Sequence, residues 1–133
     1  MGYISEVALH VTTERAATLA KLGIEFCQDG ACHSFSIDAA APLTPGPIPL
    51  PTPSGAPRAV PLRAADGSID IRIEAAINSD LIDLTTSGTD ASGLPLDTGH
   101  VRLTPVTTYP DGPSCGGPTT AKATFDQLGL RAG

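Results

Sequence analysis

Tryptophan is absent, aromatic residues make up 4% of the 133 residues, and charged residues only 17%. So few aromatics supply poorly any platform for stacking sugars or bases. Lysine and arginine total 8 against 14 acidic residues, and no two basic residues are adjacent. A nucleic-acid footprint needs clustered positive charge. The formal net charge of −6 excludes that footprint and would be repelled by an anionic membrane surface. No apolar run approaches the roughly 18 residues that span a bilayer. The start, Met1-Gly2-Tyr3-Ile4-Ser5-Glu6, lacks the basic and apolar regions of a signal peptide and the spacing of a myristoylation site. The chain is thus expected to be intracellular or a virion component, or to follow a targeting segment that was removed.

Motifs of catalysis are missing as well. Gly-x-Ser-x-Gly, a P-loop, Gly-x-Gly-x-x-Gly and His-Glu-x-x-His do not occur. No EF-hand or Asp-rich repeat is present to bind calcium, so no cofactor is expected. Asp66, Asp80, Asp83, Asp90, Asp97 and Asp111 fall in expected turns, where Asp hydrogen-bonds its own backbone. His10, His33 and His100 fall on expected strands as surface residues. A histidine packed beside an aspartate in a cleft would point to an enzyme instead.

What the sequence has in quantity is glycine and proline, 14 and 13 residues, over a 41% hydrophobic content. One domain with one core fits this length. Glu6 to Thr12, Ser68 to Ile77 and Thr119 to Asp126 alternate apolar and polar residues, the period of a half-buried strand. Thr13 to Leu22 is rich in helix formers and reads as a short helix, capped by Thr12 or Thr13 and ended by Gly23. Asp80 to Thr86 and His100 to Thr107 read as further strands, the latter broken by Pro105, which argues for an edge or a bulge. Ser87 to Gly99 and Thr108 to Pro118 read as turns and loop. Residues 39–63 carry eight prolines, from Pro42 to Pro61, and read as a connection between two sheets. About seven strands and at most one short helix predict a single antiparallel β-sandwich, immunoglobulin-like or transthyretin-like, over 1–133.

The hairpin at Ile24 to Ile37 is the sharpest signal. Asp29-Gly30 between alternating runs predicts a type I′ turn, which needs positive φ at both positions. Gln28 and Ala31 then close the turn, and Cys27 and Cys32 form the next pair, about 4.5 Å apart at Cα with side chains on one face. That spacing predicts a Cys27–Cys32 disulfide and an oxidising compartment. Cys115 is left as a free thiol or a link to another chain. The rival reading is a metal site from Cys27, Cys32, Cys115 and His33. Its Cys-x₄-Cys spacing is wide, and on a strand His33 faces away from Cys32.

Phe26-Cys27-Gln28-Asp29-Gly30-Ala31-Cys32, Leu103-Thr104-Pro105 and Pro110-Asp111-Gly112-Pro113-Ser114-Cys115 resemble small surface proteins and lipoproteins of high-GC Gram-positive bacteria. Scarce Asn and Lys with abundant Ala, Thr and Pro fit a GC-rich source. The resemblance implies a one-domain β-sandwich at the cell surface and brings no activity. In that family a second cysteine follows closely in the final loop, whereas Gly116 to Thr120 has none. The sequence therefore predicts a non-enzymatic extracytoplasmic β-sandwich module, secreted or at the cell surface, for binding or structural spacing. Its partner would be a protein or another copy of itself. The alternative is a self-assembling virion or appendage component, and behind it a small metal protein or enzyme.

Overall fold

The computed structural model describes residues 5–39, 58–75, 77, 80–96, 98–107 and 119–133. Expectations for residues 40–57 and 108–118, including the polyproline run, Asp111 and Cys115, lie outside them, as does Asp97. The described residues form an all-β sandwich of two sheets with one short helix.

The first sheet holds six strands: β1 (Glu6–Val11), β4 (Arg58–Arg63), β5 (Ile69–Glu74), β8 (Val106–Thr107), β9 (Thr119–Asp126) and β10 (Gly129–Ala132). Their order is β10-β9-β1-β5-β4, with β8 also on β9. The second sheet orders β3 (Ala31–Asp38), β2 (Lys21–Gln28), β6 (Ile82–Thr89) and β7 (Gly99–Leu103) side by side. Every ladder is antiparallel except β1–β9, which is parallel.

Alternation puts one face of each sheet inside. Val7, Leu9 and Val11 of β1 lie between Ile69, Ile71 and Ile73 of β5 and Ala121, Ala123 and Phe125 of β9, all buried. The facing sheet contributes Leu22, Ile24, Phe26, Ile82, Leu84 and Leu103. Two elements carry the chain between the sheets. The helix α1 (Thr13–Thr18) leads from β1 to β2, with Thr12 as its N-cap and Glu14 in the first turn, where it complements the helix dipole. It is shorter than the sequence predicts. Leu19 is already extended and buried, and Gly23 lies within β2 rather than ending the helix. Thr104-Pro105 interrupts the ladder after β7, and β8 joins the other sheet, so the proline marks a change of sheet.

Other boundaries differ for local reasons. Residues 58–63, expected within the proline-rich connection, form β4, an edge strand that tolerates Pro61. Ser87-Gly88 continues β6 instead of starting a turn. The tail adds β10, where Leu130 packs on the core and Leu128 is exposed.

The sandwich closes where β7 meets β10. A Cβ on Gly99 would stand 2.5 Å from the Cβ of Leu130, so glycine is what lets the two strands approach. On the opposite side β3 and β4 are bridged at one end, where the Arg63 guanidinium donates to the Ala39 backbone oxygen. A groove of about 430 Å³ runs between them, lined by Phe35, Ile37, Ala59 and Pro61 among others.

Candidate functional site

The outer face of the four-stranded sheet carries the disulfide. Asp29 has φ 55° and Gly30 φ 80°, the two positive values of a type I′ turn. Gln28 pairs with Ala31, and Cys27 with Cys32 directly beyond. Their Cα atoms are 4.1 Å apart and the sulfurs are bonded. Cys32 is exposed and Cys27 half-buried. One Glu25 carboxylate oxygen lies 3.7 Å from Cys27 Sγ. Across the sheet Cys27 sits opposite Asp83, and Asp83 opposite Arg102. Arg102 Nε donates to Asp83 Oδ1 at 3.3 Å, and His100 Nε2 lies 3.3 Å from the same oxygen. Asp83 is thus a strand residue, not the turn cap expected for it.

Glu25, Cys27 and Cys32 are the one set of three metal-type donors that converges among the described residues, within 4.8 Å. With both sulfurs in a disulfide there is no thiolate to bind a metal. His33 does not join them. It faces inward, opposite Phe26, and its ring stacks on Phe26 with centroids 6.2 Å apart. The proposed cysteine–histidine metal set is therefore divided between the two faces of the hairpin.

The outer face of the six-stranded sheet holds a second polar group. His10 on β1 stands opposite Asp70 on β5, and its Nδ1 lies 2.7 Å from Asp70 Oδ1. Beside the pair, Ala8 leaves a shallow depression bordered by Arg72, Lys122 and Thr124. An Asp-oriented imidazole is half of an acid–base device. The other half would be a hydroxyl free to react, but Thr124 Oγ1 already donates to the Gly133 backbone oxygen at 2.6 Å. His10 and Asp70, 46% and 56% exposed, line this depression of about 430 Å³, while His100 and Asp83, 57% and 45% exposed, stand on the outer face of the four-stranded sheet.

Three carboxyls have shifted titration. The Ser68 hydroxyl, at 2.6 Å, and its amide hold Asp66 below the usual carboxylate range. The Ser92 hydroxyl at 2.7 Å, then the Leu94 amide, do the same for Asp90. Both are the turn caps that the sequence predicts. Asp80 is pushed up, because it shares a hydrogen bond with the Asp29 carboxyl and feels its charge.

Sequence reasoning missed Arg15, the one basic side chain that is buried among the described residues. Its Nε and Nη2 donate to the backbone oxygens of Asp126 and Gln127, both at 3.0 Å, and its guanidinium lies 5.0 Å from the centroid of the Phe125 ring. It ties α1 to the β9–β10 turn. In sequence it is one polar residue of a short amphipathic helix, with nothing to mark its partners. Comparison with protein-family models, with curated proteins and with solved structures finds no match to this chain.

Proposed function

We propose that this chain is a non-enzymatic, extracytoplasmic β-sandwich module, secreted or at the cell surface, that acts by binding or spacing. The exposed Cys27–Cys32 disulfide carries the reading. A solvent-accessible staple persists in an oxidising compartment and is reduced in a cytosol. Its loop of six residues is short, so reduction costs only about 2 kcal/mol in the chain-entropy account. A core formed by both sheets does not depend on it. Support for a non-catalytic role comes from the half-exposure of the two histidine–aspartate pairs and from the Thr124 hydroxyl beside His10, which is engaged by the Gly133 backbone oxygen.

The test is thiol trapping in the cells that make the protein. Alkylation before reduction is expected to spare Cys27 and Cys32, and alkylation after reduction to label both. Labelling of both cysteines without reduction would overturn the extracytoplasmic reading.

A further inference from the structure

The β2–β3 hairpin gathers more than a disulfide. Glu25 and Cys27 are two residues apart on β2 and share its outer face, and Cys32 stands directly opposite Cys27 on β3. A Glu25 carboxylate oxygen and the two Sγ atoms all lie within 4.8 Å of one another. In the oxidised hairpin the carboxylate gains nothing from this placement. It lies 3.7 Å from a Cys27 sulfur that carries no proton to donate. Among the described residues no basic group forms an ion pair with it. Asp83, the neighbour of Cys27 on the other side, is by contrast held by Arg102 and His100.

Reduction changes this chemistry without dismantling the scaffold. β2 pairs with β3 along its whole length and with β6 from Lys21 to Cys27, so the three side chains stay neighbours when the S–S bond breaks. A dithiol passes two electrons and two protons to the pair and leaves as its own cyclic disulfide. The hairpin then holds two thiols. A divalent cation displaces both protons to solvent and meets two thiolates and one carboxylate. Zinc–sulfur bonds are about 2.3 Å and zinc–oxygen bonds about 2.1 Å, so the donors of one tetrahedral ion stand roughly 3.6 Å apart. Rotation about the Cα–Cβ bonds of a cross-strand cysteine pair reaches that separation.

We propose that the reduced hairpin is a metal site in which Cys27, Cys32 and Glu25 bind one zinc-like divalent cation, with water in the fourth position, and that formation of the disulfide expels it. Thiolates select soft and borderline cations over calcium and magnesium. Ser34, the residue opposite Glu25, is small and leaves room for the water. The same sulfurs cannot serve both bonds, so metal and disulfide exclude each other. A small-molecule disulfide reverses the binding: it takes two electrons from the thiolates, leaves as two thiolates of its own and frees the cation. His33 and Cys115 take no part, which separates this site from the four-residue set divided between the faces of the hairpin. The inference goes beyond the module reading and depends on the two sulfurs, not on the compartment.

Zinc titration of the purified full chain against a chromophoric chelator tests it, in the oxidised form and after reduction with the dithiol removed under inert gas. One zinc per reduced chain and none per oxidised chain is expected, and Cys115→Ser behaves alike. Cadmium in place of zinc is expected to give sulfur-to-metal charge-transfer absorption in the ultraviolet. Glu25→Gln keeps both thiols and is expected to weaken zinc binding at least about tenfold with the circular dichroism unaltered. Cys32→Ser is expected to lose it. Bound zinc is expected to slow reoxidation by oxidised glutathione at least about tenfold, because the thiolates are occupied. A reduced chain that takes up no zinc overturns the proposal. So does an oxidised chain that binds as tightly, binding lost with Cys115→Ser, or binding indifferent to Glu25→Gln. If reduction unfolds the chain, zinc must restore the circular dichroism of the oxidised protein, and failure to restore it also overturns the site. Thiol trapping in cells tests the compartment alone, so the two readings fail separately.

Discussion

Thr86 is fully buried on the inner face of β6, and its hydroxyl has no hydrogen-bond partner among the described residues. Burying an unpaired hydroxyl costs free energy that an apolar group of equal shape does not. Thr86→Val is expected to raise stability by about 1 kcal/mol in urea unfolding. At the surface, Asp80, raised by its hydrogen bond to Asp29, sets a pH dependence of opposite sign to that of the turn caps. Asp80 holds its proton more tightly folded than unfolded, so it stabilises the fold below the usual carboxylate range and loses that contribution as pH rises through its raised value. Asp66 and Asp90 stabilise above that range and lose their contribution as pH falls through their lowered values. Asp29→Asn is expected to bring the Asp80 midpoint down in an NMR titration and to raise stability at neutral pH. An unmoved midpoint would mean that the two carboxyls do not interact.

At the scale of elements, Arg15 matters more than the six-residue helix that bears it. Arg15→Ala leaves two carbonyl oxygens of the β9–β10 turn without their donors and uncovers the Phe125 ring. A loss of about 3 kcal/mol is expected by denaturant unfolding, only partly recovered by Arg15→Lys, whose ammonium lacks the two-pronged reach. That residue also marks where sequence reading ends. β1, β5 and β9 were legible because each keeps a strict period of two with one face buried. The β2–β3 hairpin and its disulfide were legible because Asp29-Gly30 fixes the register by counting. β4 was hidden by the prolines around it, and β10 by its brevity and its exposed Arg131 and Ala132. The helix looked longer because Ala20 and Leu22 are good helix formers that tertiary packing recruits into the approach to β2 and into β2 itself. Of the site, the cysteine pair follows from local arithmetic. His10 with Asp70 needs the pairing of β1 with β5, 60 positions apart in the chain, which no local pattern encodes.

At the scale of the whole molecule, the described residues form a sandwich whose two sheets meet where β7 packs on β10. That meeting depends on one missing side chain at Gly99. The outer face of the six-stranded sheet is densely charged, with Arg58, Arg72, Glu6 and Glu74 in one group of ion pairs. The parallel β1–β9 ladder has a consequence in time. β1 lies at the centre of its sheet, and its neighbourhood is sealed by chain 114 positions away, where the Thr119 amide reaches Ser5 Oγ. A chain emerging from the ribosome must therefore carry its first strand with one flank bare until β9 is made. Its sheet cannot close domain-first from the N-terminus, and contacts of such long range are slow to form. A nascent chain stalled before β9 is the form of this protein most exposed to aggregation or capture by a chaperone.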